Sequence, residues 1–156
     1  MKYYRRIVAG LLIAAGCGIW SQLPLSALPP WIPLETRVRE ADVVLIGRVL
    51  RASSGNLSGS TRTGSLRIEA RTLLKGRLDH DPVHVSFLSF EGISDGFLGE
   101  LPRVGETFIF FLNRRRVTDA GGRPGTALVL YRPQTFALVT LNAENERKVR
   151  DAAGRQ

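Results

Sequence analysis

The strongest strand pattern of apolar residues lies over residues 41–51, Ala-Asp-Val-Val-Leu-Ile-Gly-Arg-Val-Leu-Arg. The unbroken run Val43-Val44-Leu45-Ile46 is rich in β-branched side chains and predicts a strand covered on both faces. Gly47 inside it predicts a bulge or sharp bend. Leu66, Ile68, Ala70, Thr72 and Leu74 alternate with Arg67, Glu69 and Arg71, the period of a half-buried strand. Residues 83–90 form a third such segment. Thr107-Phe108-Ile109-Phe110-Phe111-Leu112 is apolar on both faces and predicts a central strand. Residues 127–131 predict a fifth strand and 136–139 a short sixth.

Two stretches carry helical spacing instead. Leu34, Val38 and Ala41 share one helical face, and Pro33 suits the first helical position. Asn142 is a good N-cap for a helix over 143–153, with Glu144 and Glu146 early, Lys148 and Arg150 late, and Gly154 after its end. Residues 28–33 are too proline-rich for helix or central strand, and Trp31 within them is expected to anchor in the core. Between strands, 53–64 reads as a flexible hairpin tip, Lys75-Gly76 as a turn, 91–105 as a glycine-rich loop and 113–125 as a basic hairpin tip. Together these predict a mainly β protein. The expected architecture is a small antiparallel OB-like barrel of five to six strands with a short N-terminal helix and a C-terminal helix; a β-sandwich is the alternative.

The first 27 residues predict a signal peptide, leaving 28–156 as a single OB-like domain. Lys2, Arg5 and Arg6 are followed by an apolar run over 7–20 and a small-residue end at Ala27. That run is short of the ~20 residues a spanning helix needs. The expected location is therefore outside the inner membrane, periplasmic or extracellular. Ala14-Ala15-Gly16-Cys17 resembles a lipobox, so a membrane-anchored lipoprotein modified at Cys17 is the alternative. Cys17 is the only cysteine, and the exported domain must stand on its own core without disulfides. Removing Lys2, Arg5 and Arg6 from 22 basic residues leaves 19 against 14 acidic ones, mostly arginine. Arginine forks suit phosphate and carboxylate partners.

Four segments occur in a telling order: Ala-Asp-Val-Val-Leu-Ile-Gly-Arg-Val at 41–49, Leu-Lys-Gly at 74–76, Val-His-Val at 83–85, and Val-Gly-Glu-Thr-Phe-Ile-Phe-Phe-Leu at 104–112. Over residues 34–140 the chain resembles the NTR/TIMP-like OB-fold superfamily, in particular its exported bacterial members of unknown function. The resemblance implies the barrel. It does not imply metalloproteinase inhibition, which in that superfamily uses an N-terminal cysteine whose amine and carbonyl bind the catalytic zinc. Here Leu28-Pro29-Pro30-Trp31 holds that place.

Catalytic chemistry finds little support. Gly92-Ile93-Ser94-Asp95-Gly96 matches G-x-S-x-G, but the nucleophile elbow needs a following helix and a later histidine. Pro102 closes the next segment, and His80 and His84 both come earlier. His80 and His84 lie on an extended segment, about 13 Å apart at ~3.3 Å per residue, too far to share a metal. Asp79 and Asp81 read as turn formers. No cofactor is expected. The one concentrated charge feature is Arg114-Arg115-Arg116 with Arg123. The expected function is an exported, non-enzymatic binding module of the cell envelope, monomeric, with an envelope protein or anionic polymer as partner and export arguing against nucleic acid. A serine hydrolase using Ser94 and a loop-based protease inhibitor are the alternatives.

Overall fold

The computed structural model describes residues 31–58, 61–90, 101–118 and 121–155. In chain order these form α1 (Leu34–Glu40), β1 (Val43–Ser58), β2 (Thr61–Lys75), β3 (Val83–Phe90), β4 (Thr107–Thr118), β5 (Pro124–Leu130), a 3₁₀ turn (Gln134–Phe136), β6 (Leu138–Thr140) and α2 (Ala143–Ala153).

The apolar run of β1 is hydrogen-bonded along both edges. On one side Val44 to Ile46 pair with β2 between Lys75 and Thr72. On the other, Val43 to Arg48 pair with Leu112 to Thr107 of β4. Both backbone edges are thus satisfied and both side-chain faces covered, and Val43, Val44 and Leu45 have no exposed surface. The strand order is β1-β2-β3-β5-β4, closed by the β1–β4 pairing, with β6 added to β4. The expected five-to-six-stranded OB-like barrel with its two helices is therefore present. It is mixed rather than wholly antiparallel, because β3 and β5 run parallel through Val85↔Leu128 and Ser86↔Val129.

One edge of β4 serves two partners in succession. β5 covers Leu112 to Thr118 and β6 covers Phe108 to Phe110. At the junction the Phe111 N–H donates to Ala137 O and the Phe111 carbonyl accepts from Tyr131 N, so the ladder has no gap. Phe110 and Phe111 are fully buried, as their place in a strand apolar on both faces requires. The pairing register slips between Ile46 and Gly47, the irregularity that glycine predicts. A Cβ at Gly47 would collide with Ile68 Cγ2 and stand 2.7 Å from Leu45 Cδ1.

Three side chains tie α1 to the barrel. Lys75 Nζ donates to the C-terminal helix carbonyls of Val38 (2.7 Å) and Arg39 (2.9 Å), a cation where the helix dipole favours one. Arg37 is buried, donates from Nε to Ile32 O at 2.8 Å and lies 4.7 Å from the Phe136 ring centroid. Tyr131 OH donates to Glu40 Oε2 at 2.6 Å. α2 packs against α1 through its buried Val149 and Ala152 and begins with Asn142 Oδ1 accepting from Asn145 N.

Several expectations need correction. Trp31 is 72 % exposed rather than anchored in the core. Pro33 is the residue before the helix, not its first. The 53–64 stretch is largely strand: Ser53↔Ser65, Ser54↔Gly64 and Gly55↔Thr63 are paired. Likewise 113–118 is the second half of β4, paired with β5 as far as Thr118↔Pro124. Backbone pairing with an adjacent strand outweighs the local turn preference of serine, glycine and asparagine.

Gly76 turns the chain at φ +83°, and a Cβ there would overlap Asp42 O while standing 3.2 Å from Val43 Cα. Gly76→Ala should therefore cost at least about 1 kcal/mol, read as a lower urea midpoint with unchanged slope. Burial, then the hydrogen bond to Glu40, raises the Tyr131 hydroxyl to about 12. The folded value lies above the unfolded one, near 10. Its contribution is thus complete below that pH and is lost as pH rises through about 12. Tyr131 is the only tyrosine beyond residue 27. Ultraviolet titration of the chain lacking residues 1–27 should show a single late phenolate transition, and Tyr131→Phe should remove this alkaline loss of stability.

Candidate functional site

The three consecutive arginines do not act together, because a strand sends alternate side chains to opposite faces. Arg114 is committed to structure. Its NH1 donates to Asp79 Oδ2 at 2.9 Å and its NH2 to Arg77 O, while its backbone N–H donates to Asp42 Oδ2 at 2.6 Å. It clamps β4 to the connection between β2 and β3. The Arg114 hydrogen bond and charge hold the Asp79 carboxyl below its usual range. Asp81 is also structural, its Oδ1 accepting from Ala70 N at 3.1 Å. Both aspartates serve the turn, as their spacing suggests. Arg115 and Arg116 are exposed on opposite faces of β4, opposite Ala127 and Thr126. Among the described residues neither has an acidic partner. Arg123 is exposed just before β5.

Strand register builds a second basic feature that chain order conceals. Arg51 of β1 is opposite Arg67 of β2, and Arg67 is opposite His84 of β3. All three are exposed, while Leu66, Ile68, Val83 and Val85 beside them are buried. The row therefore lies on the outer face of the barrel. Like charges directly opposite on neighbouring strands are destabilising. Among the described residues no acidic side chain pairs with Arg51 or Arg67. The nearest candidate along β2, Glu69, is already engaged by Arg48 Nε at 3.0 Å and Arg71 Nε at 3.8 Å.

The next row is hydroxyl-bearing. Ser53 is opposite Ser65, Ser65 opposite Ser86, and Ser86 beside Val129 of β5. Ser53 Oγ and Ser65 Oγ are 2.9 Å apart. These rows line a groove of about 340 Å³ with Arg51, Ser53, Ser65, Arg67 and His84 on its walls. His84 also borders a second hollow of about 300 Å³, which includes Asp79, His80 and Ser86. Ser86 in turn borders a third, of about 200 Å³, lined by Arg115, Val117 and Val129 among others. The first and second share His84 and the second and third share Ser86, a series from β1 to β4 with Arg51 and Arg67 in the first and Arg115 in the last.

Among the described residues no group of three His, Cys, Asp or Glu could hold a metal ion. None of the described helices is long and apolar enough to cross a membrane. Ser94 and Cys17 lie outside the described residues. No protein-family model matches the chain, and a search of curated proteins finds no match.

Residues 51, 67 and 84 are separated by 15 and 16 intervening positions, so no local motif announces them. Only the pairing register brings them together. Arg114, by contrast, is prominent in the sequence and structural in the fold. Because the folded Asp79 value lies below the unfolded one, near 3.9, its contribution is complete above that pH and is lost as pH falls further. Asp79→Asn should flatten the acid side of the stability profile below about pH 4, and Arg114→Ala should lower the urea midpoint while Arg115→Ala leaves it unchanged.

Proposed function

We propose that this protein is an exported, non-enzymatic binding module of the cell envelope that holds an anionic polymer along the outer strand face of its barrel. The observation that carries the reading is this series of hollows, read as one track, with Arg51, Arg67 and His84 in the first and Arg115 in the last. Its extent across five strands suits a chain-like ligand better than a small molecule. OB-type barrels commonly bind extended polymers on a strand face. The leader-like first 27 residues and the excess of arginine support export and an anionic partner. The residue-level resemblance supports a place in the NTR/TIMP-like OB-fold superfamily. The absence of a cysteine beyond residue 17 argues against the inhibitory chemistry known there.

Arg115 keeps the binding role expected of the basic cluster, Arg116 points to the other face of β4, and Arg114 acts indirectly by fixing β4. Retention of the protein on immobilised dextran sulfate tests the reading. The wild type should bind at about 0.05 M salt and elute as screening shortens the range of its charges. The double variant Arg51→Ala/Arg115→Ala should elute at clearly lower salt. A charge-matched control, Arg147→Ala/Arg155→Ala at α2, should elute with the wild type. Equal loss in both variants would reduce the binding to net charge and remove the track from it.

A further inference from the structure

Arg51 and Arg67 are paired across β1 and β2, and among the described residues neither has an acidic partner. Beside them lies the hydrogen-bonded pair Ser53 and Ser65. Two hydroxyls carry two protons, and their mutual bond uses one. The second remains to be donated elsewhere. His84 closes the row on the β3 side. Among the described residues, every polar side chain on this groove is thus a donor or a group able to donate, and no carboxylate lines it.

The number of donors narrows the ligand. A carboxylate offers about four lone-pair sites on its two oxygens, which two guanidinium forks would fill. The spare hydroxyl proton would then have no acceptor. A tetrahedral oxyanion presents three or four oxygens, enough for two forks approaching from neighbouring strands and for one hydroxyl proton. We infer that Arg51 and Arg67, with the Ser53–Ser65 pair, form a clamp for a single phosphate or sulfate group. The assignment rests on the polymer-binding reading for its biological source: the group is a monoester substituent of that polymer, with three free oxygens, and the track carries the neighbouring repeats past His84 and Ser86. The repulsion between the two arginines then has a purpose, since the anion relieves it on binding. The fold contributes by holding both forks on paired strands, so little ordering is needed when the group arrives.

Titration of the protein purified from cells expressing the full chain tests this, followed through the arginine Nε–H resonances. Sodium sulfate and inorganic phosphate should each shift the Arg51 and Arg67 signals together along one binding curve. Acetate at equal ionic strength should bind at least tenfold more weakly. Arg51→Lys/Arg67→Lys keeps both charges but loses both forks, and should weaken sulfate binding about tenfold while leaving the circular dichroism unchanged. Equal affinity for acetate and sulfate would overturn the clamp. So would shifts spread evenly over Arg115, Arg116 and Arg147, or lysine variants as good as wild type.

The source is tested separately. Dextran sulfate should compete with inorganic sulfate at Arg51 and Arg67, and polygalacturonate should not. Vesicles of phosphatidylglycerol that displace sulfate as well as dextran sulfate does would assign the group to a lipid surface and overturn the polymer source. If no polymer is retained yet sulfate binds both arginines, the clamp stands and the polymer reading falls. If dextran sulfate is retained unchanged by the lysine pair, the track stands and the clamp falls.

Discussion

Closure of the barrel through β1 is the constraint on which the remaining structure depends. Val43 to Ile46 must satisfy backbone groups on two edges and bury side chains on two faces, and β2 and β4 together make this possible. Once β1 is clasped, Lys75 and Gly76 fall at the end of α1, where the ammonium meets the helix carbonyls and the turn passes tightly over Asp42 and Val43. Asp42 lies just before β1 and accepts from the Arg114 amide, carrying the same closure into β4. A short helix that would not hold alone becomes part of the domain because three side chains anchor it to these strands.

Much of this was legible in the sequence, and the reason is periodicity. The apolar runs at 43–46 and 107–112, the alternation at 66–74 and the capped helix at 143–153 each state their environment locally. The missed portions share one physical cause. Ser53 to Ser58, Thr61 to Gly64 and Asn113 to Thr118 contain turn-forming residues, so each stretch alone suggests a loop; as paired arms of a sheet they are strand, stabilised by partners on the adjacent strand. Trp31 illustrates the complementary error. Its size suggested burial, yet Leu34, Val38 and Ile32 nearby already supply the packing of α1 on the core, and Trp31 remains outside.

The same distinction governs the candidate site. Arg114, Arg115 and Arg116 are visible as a triplet because they adjoin in the chain, but strand pleating divides them and an aspartate claims the first. Arg51, Arg67 and His84 are invisible as a group because each belongs to a different strand. Their adjacency exists only after bulges in β1 have set the register, Gly47 among them. A one-residue slip would turn the basic row toward the core and the apolar row outward. The apolar interior that fixes the register therefore also places the arginines on the outer face.

Arginines elsewhere on the molecule show what the fold does when charge is needed only for stability. Arg48 and Arg71 share Glu69, Arg114 takes Asp79, Arg150 takes Glu146 and Arg37 donates to Ile32 O beneath an aromatic ring. Exposed pairs of this kind contribute little individually, on the order of 0.2–1 kcal/mol, yet each leaves the local field nearly balanced. Arg51 and Arg67 depart from that pattern. They face each other with their field unbalanced, on strands too well paired to move apart, beside hydroxyls with a proton to spare. A solvated surface has no need of this arrangement, since an acidic residue in place of either serine would halve the charge and one in place of both would neutralise it. The mismatch is best relieved by an anion from outside the chain, and the rigidity of the barrel is what keeps the site open to receive one.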